Sequence, residues 1–255
     1  MSGSIHHVGV PVKMQPVCFS GISRPQDFCI SLPFEVAGAS THWHLPDHQA
    51  VAFGRLLPIL ACGEESAIHV FSSLASLEAA PPNEEFTRRA WSKQVLEKIA
   101  LDEMRHEALL AALRARVPDT LDTQTRRQAR KFFAGLNHTD PAIHFIRIAA
   151  LDSAVCQILA PLLARNSPLT AVQEISTTLN QIRADEGRHV RISKDYAHVW
   201  GATPEQIHDE WHAVRSQLVI MLGCVCDDLA MLGADPVTLF NKLIRSPDLL
   251  TPEKK

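Results

Sequence analysis

Two runs of this chain could do the same chemistry. Asp102-Glu103-Met104-Arg105-His106 and Asp185-Glu186-Gly187-Arg188-His189 place acid, acid, arginine and histidine in the same order, 83 positions apart. A Glu and a His three residues apart leave the same side of a helix. Each run therefore offers a carboxylate oxygen and an imidazole nitrogen to one point. Leu96, Ile99, Leu110 and Leu113 extend Glu103 and His106 into one continuous stripe, so that point lies in a core. Ile175, Leu179 and Ile182 before Glu186 and His189, and Tyr196 after them, make a second, weaker stripe. An ionised carboxylate in an apolar stripe is costly unless it is paired or bound to a metal. Because the cost is incurred twice, a metal centre is the natural way to satisfy it. The alternative is a metal-free buried network in which each Glu bonds to an Arg or a His.

Two further acids complete the pattern. The stripe Leu57, Leu60, Ala67, Phe71, Leu74 is interrupted at Glu64, and the neighbouring Glu65 points about 100° away around the helix. The stripe Phe145, Ile148, Val155, Leu159, Leu162 is interrupted at Asp152. Glu64 precedes Glu103 by 39 residues and Asp152 precedes Glu186 by 34. Each half reads as a helical hairpin with a lone carboxylate on its first arm and E-x-x-H on its second. Two such hairpins packed together bring four carboxylates and two imidazoles to one centre.

The elements that must position these groups are helices. Helical periodicity and capping signals predict helices over 47–77, 84–116, 123–136, 141–165, 168–199, 203–232 and 236–246. Asp140-Pro141, Ser167-Pro168, Thr203-Pro204 and Asp235-Pro236 each put a capping side chain before a first-turn proline. The expected class is all-α, with an irregular arm over 1–46, the bundle over 47–199 and additional C-terminal helices over 200–255. In the arm and its exit, "THWHLPDH" gathers His42, His44 and His48, read as a loop leading into a helix rather than a metal clip.

Composition narrows the class. The chain has 255 residues, 46% hydrophobic and 21% charged, with a net charge of −3, as in an ordinary soluble domain. That balance argues against a nucleic-acid partner. The basic run 125–131 is expected to be a solvated helix face. With no unbroken apolar run of about 18 residues and no leader-like start, neither a membrane span nor a signal peptide is expected. Six scattered cysteines (18, 29, 62, 156, 224, 226) suit a reducing cytoplasm better than a disulfide framework. Cys224 and Cys226, two apart on a helix, do not share a face.

Two carboxylate helices and two E-x-x-H helices resemble the ferritin-like di-iron carboxylate proteins. The fuller D-E-x-R-H form is most similar to their oxygen-activating members, notably the bacterial multicomponent monooxygenase hydroxylases, over residues 47–199. The resemblance implies a ferritin-like four-helix bundle. Glu64, Glu103 and His106 would ligate one iron, and Asp152, Glu186 and His189 the other, with Glu103 and Glu186 as bridges. Asp102 and Asp185 would accept the histidine N–H of the opposite helix, and Arg105 and Arg188 would pair with those acids, completing the catalytic set. Asp152 departs from the family, which usually has the longer Glu there.

Carboxylate-rich ligation with one imidazole per metal suits two iron ions, with manganese the close competitor. The implied activity is that of an O₂-dependent oxygenase acting on a small organic molecule by hydroxylation, N-oxygenation, desaturation or oxidative cleavage. The alternative is a ferritin-like ferroxidase or peroxide scavenger without an organic substrate. Ile182 stands where arylamine N-oxygenases add a histidine, and no CxxC pair of a rubrerythrin-like iron site is present. No flavin or nicotinamide fingerprint is present either, so a separate electron donor is expected. A small oligomer such as a homodimer fits an enzyme of this kind, with neither nucleic acid nor membrane as partner. Ala61, Ile68, Phe71, Ala149, Cys156 and Gly187 are expected to line the substrate pocket.

Overall fold

A computed structural model describes residues 45–76 and 93–245, and no strand occurs among them. Residues 1–44 of the expected arm, with His42 and His44, lie outside these residues, as does the start of the second expected helix. His48 sits exposed in the first turn of the first helix.

Among the described residues eight α-helices follow in order: α1 (Asp47–Ala75), α2 (Lys93–Arg114), α3 (Thr123–Gly135), α4 (Pro141–Leu162), α5 (Gln173–Val199), α6 (Pro204–Leu222), α7 (Cys226–Met231) and α8 (Pro236–Ile244). Their starts follow the capping residues. Asp140 accepts the Ala142 N–H at 2.9 Å, with Pro141 in the first turn of α4. Thr203 and Gln206 cap each other's backbone N–H at the start of α6. These bonds occupy donors that a helix end leaves without partners.

Two expected helices are interrupted. The predicted 203–232 helix breaks at a 3₁₀ turn over Gly223–Val225. The turn redirects α7 so that Asp228 meets Arg55 of α1 at 2.9 Å and Leu229 is buried. Pro168 opens only a short 3₁₀ turn, Pro168–Ala171, where Ser167 donates its hydroxyl to the Leu232 carbonyl at 3.0 Å. Val172 is extended, so α5 begins at Gln173.

The helices pack as two principal pairs, α1 with α2 and α4 with α5. The pairs meet along α2 and α5, whereas α1 and α4 make little backbone contact. This packing is compatible with a helical bundle. α3 leans on α1, α6 crosses α4 and α3, and α8 closes on α6 and α4. One core cluster contains Phe71, Leu96, Ile99, Phe145 and Tyr196, with the Tyr196 ring edge-on to Phe145. Each such fully buried side chain contributes about 1.5–3 kcal/mol. Gly54 of α1 is buried where a Cβ would fall 2.0 Å from the Pro118 carbonyl oxygen, so only glycine admits the loop that crosses there.

α4 is long and apolar enough to cross a membrane by composition alone. The bundle uses that apolarity internally: 56% of the span is buried, packed on α5, α6 and α8. Its Arg147 pairs with Glu210 of α6 at 2.7 Å. The basic run on α3 is largely exposed, with Thr125 and Ala129 turned inward.

Candidate metal centre

Four helices deliver six inward groups to one place. Glu64 comes from α1, Glu103 and His106 from α2, Asp152 from α4, and Glu186 and His189 from α5. All are buried, and both histidines are fully so. The groups form two overlapping sets, Glu64, Glu103, His106 and Glu186 on one side and Asp152, Glu186 and His189 on the other, each close enough to hold an ion. Glu186 belongs to both. Its Oε1 lies 3.4 Å from His106 Nδ1 and its Oε2 3.7 Å from His189 Nδ1. Glu103 spans the same two rings, with Oε2 3.4 Å from His106 Nδ1 and Oε1 2.9 Å from His189 Nδ1. The two glutamates expected to bridge thus each place one oxygen against each imidazole.

An aspartate from the opposite helix stands behind each ring. His106 Nε2 lies 3.1 Å from Asp185 Oδ2 on α5. His189 Nε2 lies 3.6 Å from Asp102 Oδ2 on α2, a looser approach. Arg105 bonds both aspartates, Asp102 at 3.0 Å and Asp185 at 2.7 Å. Arg188 does the same, at 2.6 Å to Asp102 and 2.9 Å to Asp185. The four side chains close a square across α2 and α5. Phe71 sits tilted against His189, with centroids 6.1 Å apart.

This arrangement decides what Nδ1 can do. With its Nε2–H given to Asp185, a neutral His106 turns a bare Nδ1 lone pair toward Glu64 Oε2 at 3.2 Å, as well as toward Glu103 and Glu186. Acceptors facing acceptors need a cation between them, either a proton or a metal ion. Asp152 Oδ2 is buried without a hydrogen-bond partner. Glu64, Glu103, Asp152 and Glu186 carry four negative charges when ionised, which two divalent cations balance, while the Asp–Arg square is neutral by itself. The donor set therefore fits a metal centre.

Without metal, protons must do this work. Burial and the nearby Glu103 carboxylate push Glu64 well above the ordinary carboxylate range. Burial, then Glu186 and Glu103, does the same to Asp152. Burial alone would lower the histidines, but hydrogen bonds to Glu103 and Glu186 outweigh it. His106 is raised strongly, with Glu64 adding to the effect, and His189 is raised to about 10. Glu103 is lowered, because the bonds from His106 and His189 overcome its burial.

A cavity of about 40 Å³ touches the four carboxylates from the α1–α4 side. Leu60, Gly63 and Ala67 of α1 face Leu151, Val155 and Ile158 of α4 across it. Phe133 of α3 and Leu218, Met221 and Leu222 of α6 close it. None of the expected pocket residues lines it. Ala61 and Ile68 lie three before and four after Glu64; the cavity instead meets positions four before and three after, a rotation of about 100° around the helix. Around Asp152 the same one-residue rotation replaces Cys156 with Val155, and Leu151, next to Asp152, lines the cavity where Ala149 does not. Ala149 packs on Trp211, Phe71 belongs to the core, and Gly187 is exposed. Closure by α3 and α6 carried no sequence signal, since those apolar residues read as ordinary packing stripes.

The chain matches no family model, no curated protein and no solved structure.

Proposed function

We propose that the chain is a ferritin-like di-iron oxygenase, using O₂ to oxidise a small organic substrate. The observation that carries the reading is the buried set of four carboxylates and two imidazoles, whose lone pairs converge and whose charge two divalent ions neutralise. Glu64, Glu103 and His106 would hold one ion and Asp152, Glu186 and His189 the other, with Glu103 and Glu186 shared. Iron suits this donor set, and manganese competes for it. Bound there, a pair of iron ions supplies the electrons that reduce O₂.

The chain's own residues contribute position and exclusion of water. Asp185 orients the His106 ring by accepting its Nε2–H, and Asp102 faces His189 in the same sense. Arg105 and Arg188 hold both aspartates in place. The apolar walls of α1 and α4 flank the carboxylate side and would limit the water that reaches it. That cavity favours an enzyme over an iron store, because a store has no use for an apolar chamber against its ligands. A separate reductase or small reductant would deliver electrons, and a cytoplasmic setting suits the free thiols of Cys62, Cys156, Cys224 and Cys226.

Iron-loaded protein given reductant should consume O₂ repeatedly only when a small organic substrate is present, and should place an atom of labelled O₂ in the product or leave the product desaturated. Assembly into a large shell that mineralises iron, with no substrate dependence, would overturn the reading.

A further inference from the structure

We infer that the cavity between α1 and α4 is a dry binding site for an uncharged, apolar group of a few heavy atoms, and that α6 and Phe133 set its size. The inference rests on the proposed metal centre for its catalytic meaning, though not for its existence. The carboxylates of Glu64, Glu103, Asp152 and Glu186 are the polar side chains at the cavity's edge; every other lining residue is glycine or carries a hydrocarbon or, at Met221, a thioether side chain. If metal ions occupy those carboxylates, no free donor or acceptor remains to recognise a charged or hydrogen-bonding substrate. Burying a polar group there would cost free energy with nothing returned.

Size follows from the same walls. At roughly 10–15 Å³ for each water-sized group, a cavity of about 40 Å³ takes about three. Gly63 faces Phe133, whose ring atoms would stand 3.3 Å from an added Cβ. Ala67 leaves space one turn beyond Glu64, opposite Val155 on α4. Met221 and Leu218 come from α6, which contributes no candidate ligand, so the chamber can change size without disturbing the ligands. The histidines and the Asp–Arg square lie outside the lining. An occupant would therefore approach from the carboxylate side.

Xenon tests this directly, because apolar cavities stay dry and take it up while polar cavities hold ordered water instead. Crystals of the full chain pressurised with xenon should show it between Ala67 and Val155. Ala67→Leu and Val155→Phe fill the chamber from opposite walls, and each should remove the xenon while both metal ions remain on analysis. A hydrogen-bonded water cluster in the wild-type cavity that excludes xenon would overturn the inference, as would xenon retained there in both filled variants. Metal content measured on the same crystals separates the two readings. Xenon without metal would leave the apolar site standing and remove the oxygenase; two metals without xenon would do the reverse to the substrate class.

Discussion

The two sides of the cluster are built on opposite principles. Along α2 and α5 the helices touch, and Asp102, Asp185, Arg105 and Arg188 interlock across the contact. Along α1 and α4 the helices stand apart, and the space between them is lined by hydrocarbon. The first side can hold imidazoles in one orientation. On the second, Glu64 bonds to His106, while Asp152 Oδ2 has no partner at all. A site that must bind something beyond its own ligands needs this asymmetry: one wall that fixes geometry and one that leaves room.

Glu186 is where the two sides meet, so its loss should have the largest effect. Glu186→Ala removes a member of both ligand sets and should abolish binding of both ions, whereas Asp152→Ala should empty chiefly the ion beside His189. Metal analysis of the two folded variants separates them. Equal losses in both would break the picture of two overlapping sites.

Protons give the next largest effect. In the metal-free state, protons sit on His106, on His189 up to about pH 10, and on Glu64 and Asp152, all of whose affinities for protons are raised. A metal ion must displace them, so binding should release protons and affinity should climb as pH rises through the neutral range. Calorimetry in buffers of different ionisation enthalpy counts the protons. A binding constant that is flat between pH 6 and 8 would show that the lone pairs are already free.

The α2–α5 wall should show a smaller, graded response. Asp185 stands 3.1 Å from its histidine and Asp102 3.6 Å from its own. Asp185→Asn should therefore weaken metal binding more than Asp102→Asn, within the ~10–100-fold typical of such partners. Equal and negligible losses would reduce both aspartates to counter-charges for the arginines. Smallest of all, Arg105→Gln should change stability by no more than about 1 kcal/mol, since a partly exposed ion pair is worth little. Chemical denaturation measures it, and a several-fold larger cost would mean that the square holds the bundle together.

Much of this wall was readable from the chain, and much of the other was not. The doubled D-E-x-R-H run named the residues of the square, and a buried acid stands out against an apolar stripe, which is how Glu64 and Asp152 were found. Helix starts at Pro141, Pro204 and Pro236 were legible because a capping side chain and a proline act locally. The break at Gly223 was not, because Leu222, Val225 and Leu229 keep an apolar pattern through it and the turn answers to the distant pairing of Asp228 with Arg55. The cavity was misplaced for a related reason. A stripe shows which face of a helix turns inward, but the side on which Phe133 and Met221 stand depends on how α3 and α6 cross, a property of tertiary packing.

Six side chains from four helices converge where two metal ions would sit. Metal analysis of the folded chain after anaerobic loading with Fe(II) and removal of loosely bound ions tests that occupancy most directly. Two ions per chain are expected, falling to none in Glu186→Ala. One ion or none in the folded wild-type chain would contradict it, leaving a buried network neutralised by protons alone.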